Sequence, residues 1–172
     1  MSYFAVFDRI APAANKYMAT LFNANADRKV TVNRIFRLNW QVAAVTGVLL
    51  EQELRRISAR TVGTNVPIQS EDSVDTLSAS IAADTGSTSV TEVSGALIRR
   101  FFAVSEEVLL ATAATVITGQ AAFVPDGQLI YWRSARSRGL VLRNGQGLTV
   151  KNLTSSTVGS VSYVFEFDDG PA

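Results

Sequence analysis

The chain has 172 residues, of which 47% are apolar and 18% charged, with a net charge of +1 and neither cysteine nor histidine. That length predicts one domain with a sizeable core, and the apolar content excludes global disorder. Without Cys or His there is no disulfide framework, no zinc or copper site of the usual nitrogen–sulfur type, and no imidazole for a Ser-His-Asp or Cys-His centre.

The charged fraction lies below the roughly 25% of an ordinary soluble domain, so either a partner covers part of the surface or serine and threonine coat it. The weak net charge predicts no strong pull on nucleic acid or membrane, and no apolar run approaches the about 20 residues of a membrane span. The opening MSYFAVFDRI lacks the basic and apolar regions of a signal peptide, which predicts synthesis and use without classical secretion.

In chain order, residues 1–14 read as an N-terminal arm reaching across a neighbour, or as a frayed end. Residues 15–22 are strand-like. In residues 30–40 one parity holds Val30, Val32, Arg34, Phe36, Leu38 and Trp40, and the other holds Thr31, Asn33, Ile35, Arg37 and Asn39. This is the period-2 pattern of a half-buried strand, with Arg34 and Ile35 out of place and Trp40 facing the core. Residues 48–57 (VLLEQELRRI) could put Leu50, Leu54 and Ile57 on one helical face, but their flanks are strand-like and strand is the expectation. Residues 70–94 contain 11 serines and threonines and read as a long loop or two short exposed strands. Residues 106–118 share the helix–strand ambiguity, with Ser105 available as a helix cap.

The C-terminal part is the most regular. Residues 128–133 follow the turn Pro125-Asp126-Gly127. Residues 140–143 and 148–153 flank Asn144-Gly145-Gln146-Gly147, a natural hairpin connection because Asn and Gly accept positive φ. A turn at 154–159 leads to residues 161–167, which alternate Val, Tyr, Phe, Phe against Ser, Val, Glu. Four strands with short turns predict an antiparallel meander or Greek key. The whole chain, 1–172, is expected to be a single all-β domain, an antiparallel sandwich with a short helix or two.

Candidate chemistry is sparse. Glu51 and Glu53 would share one strand face, Glu106 and Glu107 are adjacent, and Asp168 and Asp169 sit near the end; such acids suit a solvated surface better than a glycosidase pair. Glu71, Asp72 and Asp75 offer oxygens to calcium without the EF-hand pattern, so a charged loop is expected and no metal or cofactor. The three lysines, Lys16, Lys29 and Lys151, lie in no Schiff-base motif. Gly145-Gln146-Gly147 joins two strands and does not open a helix, so it reads as a turn and not a phosphate loop.

Charge distribution says more. Residues 28–60 carry net +5, residues 131–151 net +5 and residues 70–107 net −5, and arginine outnumbers lysine 13 to 3. Arginine's planar fork suits carboxylate pairing at interfaces, so these blocks could meet within one subunit or between subunits. Arg55, Arg56, Arg133, Arg136, Arg138, Glu71, Asp72 and Asp75 are the candidate contacts. Nucleic-acid binding is a weaker reading, because aromatic and basic residues interleave only at Tyr131-Trp132-Arg133.

The segments GQGLTVKNLTSSTVGSVSYVFEF and RIFRLNWQVAAVTGVLLEQELRRISA resemble small structural proteins of tailed-phage virions, especially capsid decoration or cement proteins. The resemblance covers both ends of the chain and not its Ser/Thr-rich middle. It implies a jelly-roll subunit, a homotrimer bound to the major capsid protein on the outer surface of the head, made in the host cytoplasm, with no catalytic residues. Two other functions stand beside it: a tail or fibre receptor-binding jelly roll with an aromatic cleft around Tyr131 and Trp132, and a glycan hydrolase using Glu51 and Glu53.

Overall fold

The structure is a computed structural model that describes residues 2–40, 48–105, 128–134, 139–154 and 160–172. Twelve strands are formed among them: β1 (Ser2–Ile10), β2 (Tyr17–Asn23), β3 (Arg28–Trp40), β4 (Val48–Thr61), β5 (Thr64–Val66), β6 (Ile68–Ser70), β7 (Ile81–Thr85), β8 (Thr88–Ser105), β9 (Gln128–Trp132), β10 (Leu140–Leu142), β11 (Gln146–Asn152) and β12 (Ser160–Pro171). No helix occurs among the described residues. The first sheet runs β10-β3-β12-β1-β6, with β9 also on β3; the second runs β5-β7-β2-β11-β4-β8. Every pairing is antiparallel.

The two sheets pack through one apolar core. The first contributes Tyr3, Phe7, Val32, Ile35, Phe165 and Phe167, the second Met18, Leu21, Leu54, Phe101, Leu148 and Val150. Phe7 meets Phe165 edge-on at 5.0 Å between ring centroids, and Tyr3 stacks on Phe167 at 5.8 Å. Each aromatic pair of this kind adds about 0.5–1.5 kcal/mol beyond its buried area.

Several expectations need correcting. Residues 2–10 are not an arm. They form an interior strand between β12 and β6, because Tyr3, Ala5 and Phe7 alternate inward and bury completely or nearly so. Residues 70–94 are not one loop: β7 and the start of β8 lie there, with Ile81 and Ala83 in the core. No apolar period shows because on β7 the side opposite Ile81 and Ala83 carries Asp84, buried among polar groups, while the start of β8 at 88–94 is largely exposed, as the alternative of short exposed strands expected. Residues 48–57 are strand, as expected. The ambiguous stretch at 106–118, the turn at 125–127, most of the turn at 154–159 and the Trp40 side chain lie outside the described residues.

The odd pair Arg34 and Ile35 has a structural cause. Between β3 and β12 the register shifts, Val32 pairing with Phe167 and Arg34 with Glu166, so that Asn33 is an extra residue. A β-bulge exchanges the two faces of a strand. Val30 and Val32 point inward before it; Ile35 and Arg37 point inward after it. Arg37 is thereby 1% exposed, its guanidinium 5.8 Å from the Phe101 ring and its Nη1 donating to Gln128 Oε1 at 3.3 Å. Burial lowers its pKa.

Of the two C-terminal arrangements expected, a meander or a Greek key, the meander is absent. β9, β10 and β12 belong to the first sheet and β11 to the second, so the turn at 144–147 is a corner between sheets. Gly145 adopts φ +71° there, and its N–H donates to Asn23 O at 2.8 Å. Buried Asn23 holds the corner from the other side, its Nδ2 donating to Arg28 O at 2.8 Å and Leu142 O at 3.1 Å. Alternation shows that a segment is a strand; it carries no label for which sheet receives it.

Candidate functional site: the two outer faces of the sandwich

On the second sheet, the side turned away from the core is largely closed by its own strands. β4 pairs with β11 over Gln52–Ile57, continues past Gly63 into β5, and β5 pairs with β7. Since β7 pairs with β2 and β2 with β11, the strands form a ring that the chain itself closes where β4 runs into β5. Its interior is polar and buried. Thr20 Oγ1 and Thr149 Oγ1 lie 2.9 Å apart, Ser87 Oγ donates to Thr20 Oγ1 at 3.0 Å, and Thr149 Oγ1 donates to Ala19 O at 3.1 Å. Arg60 reaches over the Phe22 ring, 4.7 Å from its centroid, to Asp84.

Beside this ring lies an ion-pair network. Glu53, 0% exposed, accepts from Arg55 Nε at 2.5 Å and from Arg100 Nε at 2.9 Å. Glu92 accepts from Arg55, from Lys151 Nζ at 3.0 Å and from Tyr17 Oη at 3.0 Å. Burial pushes the Glu53 and Glu92 carboxyls up, but these donations outweigh it and hold both below the usual carboxylate range. Burial likewise pulls Lys151 down, and its bond to Glu92 more than restores it. The opposite charge blocks read from the sequence therefore meet within one chain here.

The predicted contact residues are not brought together. Arg55 belongs to the network just described. Arg56 donates from Nη1 to Val141 O at 3.0 Å, bridging the sheets. Arg133 is on the first sheet, its Nη1 donating to Asn33 Oδ1 at 3.2 Å. Arg136 and Arg138 lie outside the described residues. Glu71, Asp72 and Asp75 form a turn after β6, where Glu71 N donates to Ser2 O and Asp72 Oδ1 accepts from Val74 N, both at 3.0 Å. No group of three or more metal-binding side chains occurs among the described residues. Glu53, the buried member of the proposed glycosidase pair, is held ionised by two arginines, opposite to the direction a general acid needs.

The outer face of the first sheet carries what sequence reading missed. Register aligns two rows across β9, β3, β12 and β1. One is Leu129, Phe36, Val164, Val6; the next is Trp132, Arg34, Glu166, Phe4. Leu129 and Val6 are 44% and 47% exposed and Trp132 is 60% exposed. Arg34 and Glu166 pair at 3.7 Å between the aromatics. Sequence parity puts Phe36 with the inward set of β3, and only the Asn33 bulge turns it to the outer face in line with Val164, which is why the rows were not legible.

These features define an antiparallel two-sheet β-sandwich with one outer face largely closed by its own strands and the other bearing one apolar row and one row of aromatics flanking an ion pair. No protein-family model, no curated protein and no solved structure matches the chain.

Proposed function

We propose that the protein is a virion structural subunit of the capsid decoration or cement type, which stabilises a phage head by clamping neighbouring capsid subunits. The observation that carries this reading is the outer face of the first sheet, with Leu129, Phe36, Val164 and Val6 in one apolar row whose ends, Leu129 and Val6, are exposed and whose middle is half-buried. Large apolar patches on an otherwise ordinary surface mark contact sites. The alternation of the chain between sheets, β1 to β2 to β3 to β4 and again β10 to β11 to β12, supports a jelly-roll topology. The consumption of Arg55, Arg60 and Arg100 in bonds within the chain supports contacts made by apolar surface in preference to those charges. The threefold assembly and the capsid partner come from the resemblance of the two terminal segments alone.

Mass spectrometry of purified virions, with heat and chelator challenge of heads made without the protein, tests the reading. The expected result is its presence in heads and a lowered disruption temperature without it; heads equally robust in its absence overturn the role.

A second reading is favoured by Trp132, whose exposed ring lies beside the Arg34–Glu166 pair as an aromatic platform for a sugar. A receptor-binding module of this kind would show hits on a glycan array that disappear with Trp132→Ala.

A further inference from the structure

From the order of residues on the outer face of the first sheet, we infer that this face binds a second copy of the same chain about a two-fold axis. Across β9, β3, β12 and β1 one row reads Trp132, Arg34, Glu166, Phe4, that is aromatic, positive, negative, aromatic. Reversed, this order is its own complement. A two-fold axis parallel to the strands, midway between β3 and β12, turns a copy over and reverses its strand order. It sets Arg34 of each copy over Glu166 of the other, and Trp132 over Phe4. In the neighbouring row the same operation sets Phe36 over Val164. A contact of this kind is isologous, each residue pair occurring twice.

Charge complementarity selects this occupant. The pair Arg34–Glu166 sits at 3.7 Å within each copy with 51% and 18% of the two side chains exposed, so the row has no net sign to attract an acidic or a basic partner. A second copy answers each charge with its opposite and covers the apolar row with its own equivalent. Two sheets stacked face to face lie about 10 Å apart, the distance at which such side chains interdigitate. The inference rests on reading this face as a contact surface, and it names a two-fold contact where the resemblance implies a threefold one.

Charge reversal in two separate variants tests it. Arg34→Glu makes a chain with two acids in the row, and Glu166→Arg makes one with two bases. Each alone sets like charges opposite each other across the axis, whereas an equimolar mixture sets acid against base. Wild type is expected by light scattering at about 100 µM at twice the 18.5 kDa chain mass. Each variant alone is expected to associate at least roughly tenfold more weakly, and the mixture to regain the dimer. Recovery on mixing cannot come from the pair within a chain, which both variants lack, and it shows that both fold. Val164→Lys, beside the axis, should also weaken the dimer. A mass of one chain or three for wild type, or a mixture no more associated than its components, overturns the two-fold contact. A monomer that is nonetheless found on heads overturns this inference and leaves the virion reading standing; a dimer whose protein is found in no virion does the reverse.

Discussion

Arg60 donates from Nε to Asp84 Oδ2 at 2.5 Å, with the arginine side chain 5% and the aspartate 0% exposed. The bond ties the far end of β4 to β7 across the ring of strands, and Gly63 N adds a bond to Asp84 Oδ1 at 3.2 Å. Removing one partner of a buried ion pair strands the other charge, at a cost of about 3–5 kcal/mol. Asp84→Ala should cost that much in urea denaturation. Replacing both partners, as Arg60→Met with Asp84→Leu, should cost less than Asp84→Ala alone. Equal losses in the two proteins would show that burial of the uncompensated charge is not the cause.

The Glu53 and Glu92 network makes stability depend on pH. Both carboxyls are held below the usual range, Glu53 by Arg55 and Arg100 against burial, Glu92 by Lys151, Tyr17 and Arg55 against burial. Groups with a lowered folded pKa contribute stability that is fully present above the unfolded value, about 4.3 for Glu, and is lost as pH falls through the lowered value. The melting temperature should therefore be flat from about pH 7 to 5 and fall below about pH 4. Glu53→Gln should lower the plateau and make the acid limb shallower. An acid limb of unchanged slope in that variant would remove Glu53 from the explanation.

Two glycines are held for different reasons. At Gly145 a Cβ would meet nothing within 4 Å, but φ is +71°. Alanine there bears only the left-handed backbone cost, about 1 kcal/mol. At Gly63 an ideal Cβ would fall 2.0 Å from Thr85 O, a backbone atom that cannot move without breaking the β5–β7 pairing. Gly63→Ala should be the more damaging by at least about 1–2 kcal/mol in thermal or chemical denaturation. Comparable losses would mean that β5 can lift off β7 cheaply.

Legibility in the sequence followed the rules that act within one strand. β12 could be read because Val161, Tyr163, Phe165 and Phe167 all bury on one side and nothing interrupts them. β3 could be located but not oriented, since the Asn33 bulge depends on the partner strand and leaves no mark beyond the misplaced Arg34 and Ile35. The same limit hid the candidate surface: Trp132 could be named from residue type, but its row with Arg34, Glu166 and Phe4 exists only through three strand pairings between residues far apart in the chain. The ion pairs Arg55–Glu92 and Arg60–Asp84 were foreshadowed by block charges, whereas which block faced which required the ring of strands.

Asn23 is the point where the sheets are stitched. Its amide donates to two carbonyls and its Oδ1 accepts from Asn25 N at 2.9 Å, all at a residue 0% exposed. Asn23→Ala leaves the Leu142 carbonyl buried without this donor, and each such group costs about 1–3 kcal/mol. Asn23→Asp keeps the acceptor but loses both donors, so it should be no better than alanine in denaturation. A tolerated aspartate would mean that the corner does not depend on the amide.

Tyr163 stands opposite Arg37 across the β12–β3 pairing, fully buried, and its hydroxyl has no hydrogen-bond partner among the described residues. Burial pushes its ionisation well above the ordinary tyrosine value, with the Arg37 charge drawing it back only in part. A buried hydroxyl without a partner is a cost and not a contribution, so Tyr163→Phe should be neutral or stabilising by up to about 1 kcal/mol at pH 8. The folded pKa is raised, so stability linked to this group is complete below the unfolded value of about 10 and is lost as pH rises toward the folded one, because only the unfolded chain releases the proton. The gap between variant and wild type should therefore widen in favour of phenylalanine between about pH 10 and 11. Paired denaturation curves at pH 8 and pH 11 measure it. A variant weaker than wild type by more than about 1 kcal/mol at pH 8 would mean that the hydroxyl is engaged in the core, and the account given for it would fail.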